Sequence, residues 1–165
     1  MVTAVPTIAV FPDEKLTLDQ RIEKWVWHYC RTLEKNYEEY HRNMITRNSE
    51  RYDGEMSKYA QDQLDAMNNG TANLMKFRME FGRKYIKIIH QDFDTFQGRN
   101  EYKDGSVHAF VNKKTGEVYK PASWKSPHTK YVRFDLRIIS DREKLHDYRF
   151  TDWACLLYTS DAADE

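Results

Sequence analysis

The first half of the chain is dominated by apolar positions that recur at three- and four-residue steps. This repeat runs from Thr17 to Asn48 and predicts one long amphipathic helix. Thr17 and Gln20 have the spacing of a capping box, so we expect the helix to begin there. At 1.5 Å per residue its length is about 45 Å, more than a small domain is wide, so its far end should be half-exposed. The apolar stripe, which turns from aliphatic to tyrosine-rich, consists of Leu18, Ile22, Trp25, Val26, Tyr29, Leu33, Tyr37, Tyr40 and Met44.

A second helical pattern follows an interruption at Asp53-Gly54. We expect this helix to stop at Asn68-Asn69-Gly70, and a single kinked helix through both patterns is the alternative. Residues 1–16 are mildly apolar at their start but lack the basic beginning of a secretory signal. We interpret them as a ragged N-terminal segment or a short edge strand. The apolar face of the second helix consists of Met56, Tyr59, Ala60, Leu64 and Met67.

Beyond Gly70 the period of the apolar positions changes to two, which predicts strands. Gly82-Arg83 is interpreted as a two-residue turn of a hairpin. With that turn Met79 faces Ile86, and the apolar side chains of both strands share one side of the sheet. The polar stretch 91–106 is predicted to be a loop. The apolar side of the first strand consists of Met75, Phe77, Met79 and Phe81.

A second hairpin is predicted from Val107–Val111 and Glu117–Lys120. The intervening segment, 112–116, has the composition of a type I turn closed by a left-handed glycine. An irregular stretch around Trp124 then lies between two prolines. The alternation in Tyr131–Leu136 predicts a fifth strand.

The predicted elements end with a short helix over Asp141–Phe150, capped by Ser140 or Asp141. Helices come first and strands afterwards, which is typical of an α+β fold. We therefore predict one domain over residues 17–154. Its part from 17 to 70 is helical, and its part from 71 to 154 forms an antiparallel sheet of about four to five strands with the short helix.

The final segment, residues 155–165, has a sequence of a different origin. Its letters, CLLYTSDAADE, are the translation of a transposase adapter used to prepare sequencing libraries, beginning TGT CTC TTA TAC ACA TCT. We interpret the segment as non-native and leave it out of fold reasoning, as is done for expression tags. This interpretation implies a metagenomic read truncated near Ala154. Without the three acidic residues of the segment, the formal net charge changes from zero to +3.

The composition indicates a globular protein of the cell interior. Charged residues make up 32% of the chain with the two signs interleaved, and no apolar run is long enough to cross a membrane. Once Cys155 is assigned to the final segment, Cys30 has no partner for an internal disulfide, which favours a reducing compartment such as the cytoplasm. Cys30 lies among aromatic residues of the helical pattern, so we expect a small buried side chain and not a nucleophile.

Candidate catalytic chemistry is sparse. The sequence contains no phosphate-binding glycine loop, no Cys-x-x-Cys pair and no His-Glu-x-x-His motif, and it predicts no cofactor. Its six histidines are scattered singly. Asp92 and Asp94, with His90 and His108 nearby in the chain, are the weak candidates for a metal or acid–base site. Polar turn residues explain the same spacing without any function.

Charge is distributed unevenly along the chain. Residues 1–70 carry a formal net charge of −3, whereas residues 107–133 carry +5 and have aromatic residues interleaved with the cations. Cations neutralise phosphates and aromatic faces stack on bases, so this composition favours single-stranded nucleic acid as a ligand. Strand alternation alone, with aromatics inward and lysines outward, produces the same pattern without a ligand. The candidate binding residues are Lys113, Lys114, Tyr119, Lys120, Trp124, Lys125, Lys130 and Arg133.

Several segments between Gly82 and Leu136 resemble a group of uncharacterised small proteins encoded by tailed phages, notably marine ones. The resemblance implies a phage gene acting in the cytoplasm of an infected bacterium, and it assigns no catalytic residue. Asp152-Trp153-Ala154 resembles a late element of the group, whose members continue into an apolar segment, so a last strand is expected to be missing here. The helical half has no counterpart and is interpreted as an added region. The matching pieces are GRKYIKI at 82–88, SVH at 106–108, FV at 110–111 and VYKPASWK at 118–125.

These observations leave three functions open. The favoured hypothesis is a non-enzymatic accessory protein that binds nucleic acid or a host protein through a basic, aromatic face of the sheet. The second is a small enzyme whose site lies near Asp92, Asp94 and His108. The third is a structural or assembly protein that associates through its tyrosine-rich helix. The sequence predicts no particular oligomeric state.

Overall fold

The computed structural model describes residues 5–51 and 56–154 and contains a helical layer packed on an antiparallel sheet. The strands pair in chain order, and every pairing is antiparallel. The predicted α+β class is therefore confirmed. The helices are α1 (Leu18–Arg51), α2 (Lys58–Asn69) and α3 (Ile139–Leu145). The strands are β1 (Lys76–Phe81), β2 (Tyr85–Asp94), β3 (Glu101–Asn112), β4 (Glu117–Tyr119) and β5 (Phe134–Asp135).

Helix α1 begins at the predicted capping box. The backbone N–H of Thr17 donates to the side-chain oxygen of Gln20 (3.0 Å), and the N–H of Gln20 donates to the Thr17 hydroxyl (3.3 Å). The apolar stripe is buried from Ile22 to Leu33, and Leu18 at its start is exposed. At the far end Tyr40 is 48% and Met44 41% exposed, as the length of the helix predicts. The main core joins this stripe to one face of the sheet and to α3 through Ile22, Val26, Tyr29, Leu33, Phe77, Ile88, Ala109, Val111, Val118 and Leu145.

Cys30 lies inside this core and is fully buried. Burial disfavours the thiolate and raises the pKa of the thiol to about 12. The interpretation of Cys30 as a small buried side chain is therefore confirmed.

The described part of the N-terminal segment, residues 5–16, is neither ragged nor a strand. It forms two short 3₁₀ turns, Thr7–Val10 and Asp13–Lys15. The Asp13 carboxylate accepts hydrogen bonds from the Lys24 ammonium (2.8 Å) and the Trp25 indole (3.2 Å). These bonds hold the segment against α1. The pattern of polar residues in the segment did not predict this contact.

Helix α2 starts independently of α1. Ser57 has an extended backbone conformation and its hydroxyl accepts a hydrogen bond from the N–H of Ala60 (3.1 Å), which is an ordinary N-cap. Gly70 ends the helix at φ 73°, the predicted left-handed stop. The alternative of one kinked helix is therefore wrong. The break at Asp53-Gly54 and the adapter-like segment 155–165 lie outside the described residues.

The first hairpin has a different turn from the one expected. Phe81 pairs with Ile86 and Met79 with Ile88, and the N–H of Gly82 donates to the carbonyl of Tyr85 (2.9 Å). The turn is therefore Arg83-Lys84 rather than Gly82-Arg83, and the register is shifted by two residues. Because side chains alternate with a period of two, this shift leaves every apolar residue on its predicted side of the sheet.

The predicted loop at 91–106 is mostly strand, because β2 continues to Asp94 and β3 begins at Glu101. Cross-strand pairs support this polar extension, among them the perpendicular rings of Phe93 and Tyr102, with centres 5.1 Å apart. Only a short 3₁₀ turn, Phe96–Gly98, and its neighbours connect the two strands. A sequence pattern does not show this extension, since polar residues on both faces are typical of loops.

The end of the domain differs in two details from the sequence prediction. Strand β5 is limited to two residues, and α3 begins before the expected caps, with Ile138 at the N-cap and no side-chain cap bond. The Asp141 carboxylate instead accepts the N–H of Asp135 (3.0 Å) and so ties α3 to β5. Within the described residues, no helix combines the length and apolar character that crossing a bilayer requires.

Candidate functional site

One face of the sheet packs on α1, and the other, here called the outer face, has a second apolar cluster. No residue of α1, α2 or α3 belongs to this cluster. Its buried members come from three adjacent strands, and Tyr85 packs against them half-buried. The buried members are Ile89, Val107, Phe110 and Tyr119.

Aromatic rings and one ammonium group form the centre of the outer face. The ring of Tyr85 stands perpendicular to those of Phe110 (5.8 Å between centres) and Tyr119 (6.2 Å). The Lys87 ammonium lies 5.7 Å from the centre of the Phe110 ring and 5.1 Å from that of Trp124. Trp124 is 43% exposed. An exposed indole beside a cation is a surface on which a flat, electron-rich or negatively charged ligand can bind.

Two hairpin turns bring further cations together at one end of the sheet. The β1–β2 turn and the β3–β4 turn are joined by a hydrogen bond from the Lys113 N–H to the Lys84 carbonyl (3.0 Å). Arg83 and Lys84 are exposed in the first turn, and Lys114 is exposed in the second. The second turn has the predicted form, since Gly116 has φ 73° and its N–H donates to the Asn112 carbonyl (2.9 Å).

Sequence reasoning missed Arg83, Lys84 and Lys87 as members of this basic surface. The two predicted hairpins were sufficient to predict that their turns lie close together, because antiparallel strands in chain order bring alternate turns to the same end of a sheet. The surface is not uniformly positive. Lys114 pairs with Asp19 of α1 (2.8 Å), and Glu80 lies 3.8 Å from the Lys87 ammonium.

The structure distributes the eight predicted binding residues over different places. Lys113 donates to the Gly82 carbonyl (3.1 Å), and Lys125 and Lys130 are exposed on the segment that follows β4. Tyr119 is buried at 8% exposure, so its ring is not available for stacking, and burial raises the pKa of its hydroxyl. Arg133 is half-buried, with its guanidinium 5.8 Å from the Tyr131 ring centre.

Lys120 does not belong with the turn lysines. It lines a pocket at the opposite end of the sheet with His90, Ser106 and His108. Strand alternation explains this position, because Val118, two residues earlier, faces α1 in the main core. Lys120 therefore lies apart from Lys113 and Lys114, the candidate lysines of the second turn.

Asp92 and Asp94 do not converge on a common point. Asp94 is buried and accepts the N–H of Phe96 (2.9 Å), which holds the pKa of its carboxyl below the usual value; Arg99 lies 3.3 Å from the same carboxylate. Asp92 pairs with His90 (3.3 Å). In the two described stretches of the chain, no group of three or more His, Cys, Asp or Glu could hold a metal ion.

His108 is buried on the α1 side of the sheet. Its Nε2 lies 3.2 Å from the Tyr29 hydroxyl, and its ring contacts that of Phe77 edge to face. Burial lowers the pKa of His108 to about 3, so the ring is neutral at physiological pH. A neutral, buried imidazole differs from the reactive group that the sequence predicted beside the two aspartates.

The tyrosine-rich end of α1 is partly covered by its own chain. The ring of Trp153 lies 4.9 Å from that of Tyr37, perpendicular to it, and 5.3 Å from that of Tyr40. The N–H of Trp153 also donates to the Asn36 side chain (3.0 Å). These contacts cover part of the surface that an assembly role would need, and Tyr40 remains 48% exposed.

Together these features define a small α+β domain with a five-stranded antiparallel sheet, one face of which is basic and aromatic. The chain belongs to the family described as a family of unknown function (DUF7717), whose model matches residues 10–159. The match includes α1 and α2, so the helical half is part of this family's domain. It also reaches five residues beyond Ala154. No curated protein and no solved structure matches the chain.

Proposed function

We propose that this protein is a phage accessory protein that acts in the bacterial cytoplasm by binding single-stranded nucleic acid on the outer face of its sheet. The observation that supports the proposal is the exposed Trp124 ring, with the Lys87 ammonium 5.1 Å from its centre. Residues 155–165 would take no part in this activity.

The two kinds of group on this face match the two parts of a nucleotide. An exposed indole offers a flat surface to a base, and base–aromatic stacking tolerates any sequence. The exposed cations Arg83, Lys84 and Lys125 can neutralise phosphates. An outward tryptophan forgoes the burial that would stabilise the fold, whereas an outward lysine does not, so Trp124 is the feature that calls for a ligand.

The test is equilibrium binding of a fluorescein-labelled oligothymidine, followed by anisotropy between about 50 and 200 mM salt. The wild-type affinity should fall with a log–log slope of about −0.7 for each phosphate neutralised. The double substitution Arg83→Gln/Lys84→Gln should weaken binding and reduce the magnitude of that slope by about 1.4, the share of two phosphates. Trp124→Ala should cost about 1–3 kcal/mol of binding free energy.

A matched control is Lys58→Gln/Lys144→Gln, which removes the same charge from exposed positions of α2 and α3. This variant should bind as the wild type does. Equal weakening in the two double variants, or no binding at the lowest salt, would overturn the proposal.

The Trp124 indole distinguishes nucleic acid from the competing ligand, an acidic protein surface, because only bases stack on it. Polyglutamate should bind less tightly than the oligonucleotide, and Trp124→Ala should affect only the oligonucleotide. If polyglutamate binds as tightly and Trp124→Ala changes neither affinity, the ligand is an acidic protein instead.

A further inference from the structure

Two irregularities in β3 lie next to each other, at the end of the sheet opposite the basic turns. Ile88 pairs with Ala109 and Ile89 with Val107, which leaves His108 without a cross-strand partner. Gln91 then pairs with Asp104, so Gly105 and Ser106 together oppose His90. Strand β3 therefore contains two β-bulges close together, one at His108 and one at Gly105-Ser106. Bulges change the direction of side chains and are over-represented beside active sites.

The second bulge brings three polar side chains into contact, one pair through a hydrogen bond and the other as an ion-pair contact. The Ser106 hydroxyl lies 3.2 Å from Nδ1 of His90, and the Asp92 carboxylate lies 3.3 Å from Nε2 of the same ring. The backbone N–H of Ser106 donates to Nδ1 (3.2 Å), so Nδ1 is an acceptor. The proton of the neutral ring is therefore on Nε2, where it faces Asp92.

Gly105 makes this arrangement possible. A Cβ atom on Gly105 would lie 2.0 Å from Nε2 and 2.5 Å from Cε1 of His90, so the ring occupies the space that any other residue would fill. The imidazole thus packs directly on the strand beside the serine.

A pocket of about 260 Å³ opens beside these groups. It is smaller than the sites of about 300–1,000 Å³ that take drug-sized ligands, so it suits a small substrate. Four polar side chains and several apolar ones line it. The polar ones are His90, Ser106, His108 and Lys120; the apolar ones include Met75 and Val107.

We propose that Ser106, His90 and Asp92 form a nucleophile, base and orienting carboxylate that hydrolyse small carboxylic esters with an apolar acyl group. A serine hydroxyl gains reactivity when a base takes its proton and a third group orients that base. In this chain the imidazole nitrogen beside the hydroxyl carries no proton, and Asp92 stabilises the positive charge that the ring acquires.

The reaction balances with water as the second reactant. Ser106 Oγ attacks the ester carbonyl carbon and its proton passes to Nδ1 of His90. The bond from the carbonyl carbon to the alcohol oxygen breaks, and the alcohol leaves with that proton. Water then attacks the acyl-serine with the same ring as base, which releases the acid and restores the hydroxyl.

The first experiment is covalent labelling of the full chain with a fluorophosphonate, read by intact mass and by peptide mapping. One label per chain at Ser106 is expected, and Ser106→Ala should abolish it. Ser140→Ala, which removes an exposed serine of α3, should label as the wild type does. No label, or a label at another serine, overturns the proposal.

The second experiment follows p-nitrophenyl butyrate hydrolysis in variants whose folding is checked by thermal melts. His90→Gln should lower the acylation rate by about 100-fold or more, the usual contribution of a general base. Asp92→Asn should lower kcat and leave KM unchanged, because the substrate still enters the pocket but the ring loses the group that orients it. A purely structural role for Asp92 would instead lower the melting temperature without this split between kcat and KM. Wild-type rates in Ser106→Ala and His90→Gln contradict the proposal.

The pocket and the outer face share Val107, but the proposed catalytic groups and the proposed nucleic-acid-binding groups are different residues, so the two activities can fail separately. Trp124→Ala should leave ester hydrolysis unchanged, and Ser106→Ala should leave oligonucleotide binding unchanged.

Discussion

Gly105 is the residue on which the position of His90 depends. Its φ lies outside the left-handed region, so an alanine there meets no backbone penalty, and the nearest obstacle to the new Cβ is the imidazole of His90. We expect Gly105→Ala to displace the ring and to lower the free energy of unfolding by about 1–3 kcal/mol, the usual cost of overpacking. Urea denaturation measures this change.

A double-mutant cycle isolates that contact. In a His90→Ala background the imidazole no longer fills the space beside Gly105. There Gly105→Ala should lower the free energy of unfolding by well under 1 kcal/mol, as ordinary surface substitutions do. Equal costs in the two backgrounds would show that the glycine serves another purpose.

At the scale of elements, α1 protects the free edge of the sheet. The Glu34 carboxylate accepts the N–H of Phe77 (2.9 Å), and the Arg31 guanidinium donates to the Phe77 carbonyl (2.7 Å). Both backbone groups lie on β1, whose other side pairs with β2. An open strand edge is a template for pairing with another chain, and this pair of side chains occupies the Phe77 backbone groups of that edge.

Removing Glu34 should therefore destabilise the helix–strand contact. In Glu34→Ala the Phe77 N–H and the Arg31 guanidinium each lose a partner, which should cost about 1.5–3 kcal/mol, as for a hydrogen bond to a charged group. Hydrogen exchange at the Phe77 amide should become faster. Glu39→Ala is the matched control, since Glu39 lies on the same helix and makes no bond to β1. Similar losses in the two variants would count against a role in closing the edge.

At the scale of the whole molecule, buried histidines make stability depend on pH. Burial lowers the pKa of His108 to about 3 and that of His146 to about 4, from an ordinary value of 6.5. Below pH 6.5 these two histidines bind protons in the unfolded chain but not in the folded one, which favours unfolding. The free energy of unfolding is therefore unaffected by them above pH 6.5 and decreases as the pH falls toward 4. With two such histidines, the free energy of unfolding changes by at most about 2.7 kcal/mol per pH unit.

Urea denaturation at several pH values between 7 and 4.5 measures that slope. His146 donates to the Trp25 carbonyl (2.9 Å), a bond that a glutamine side chain can also donate. His146→Gln should therefore keep the fold and reduce the slope by about half. An unchanged free energy of unfolding between pH 7 and 5 would show that neither histidine is held neutral.

Local patterns were sufficient for the architecture. The period of apolar positions predicted α1, α2 and the strands apart from the polar extension of β2 and β3. Short-range turn chemistry predicted the Thr17 cap, the Gly70 stop and the turn closed by Gly116. Each of these depends on residues within a few positions of one another, which a sequence shows directly.

The candidate sites depended on contacts that no local pattern contains. The pairing of β2 with β3 brought Ser106 to His90 across 16 positions of the chain, and the β3 bulges decided which side chains face the pocket. Tertiary packing buried Tyr119, directed Lys120 away from the turn lysines and exposed Trp124. The physical reason is that apolar periodicity specifies which face of an element is buried, whereas register, bulges and exposure are decided only when elements pack on one another.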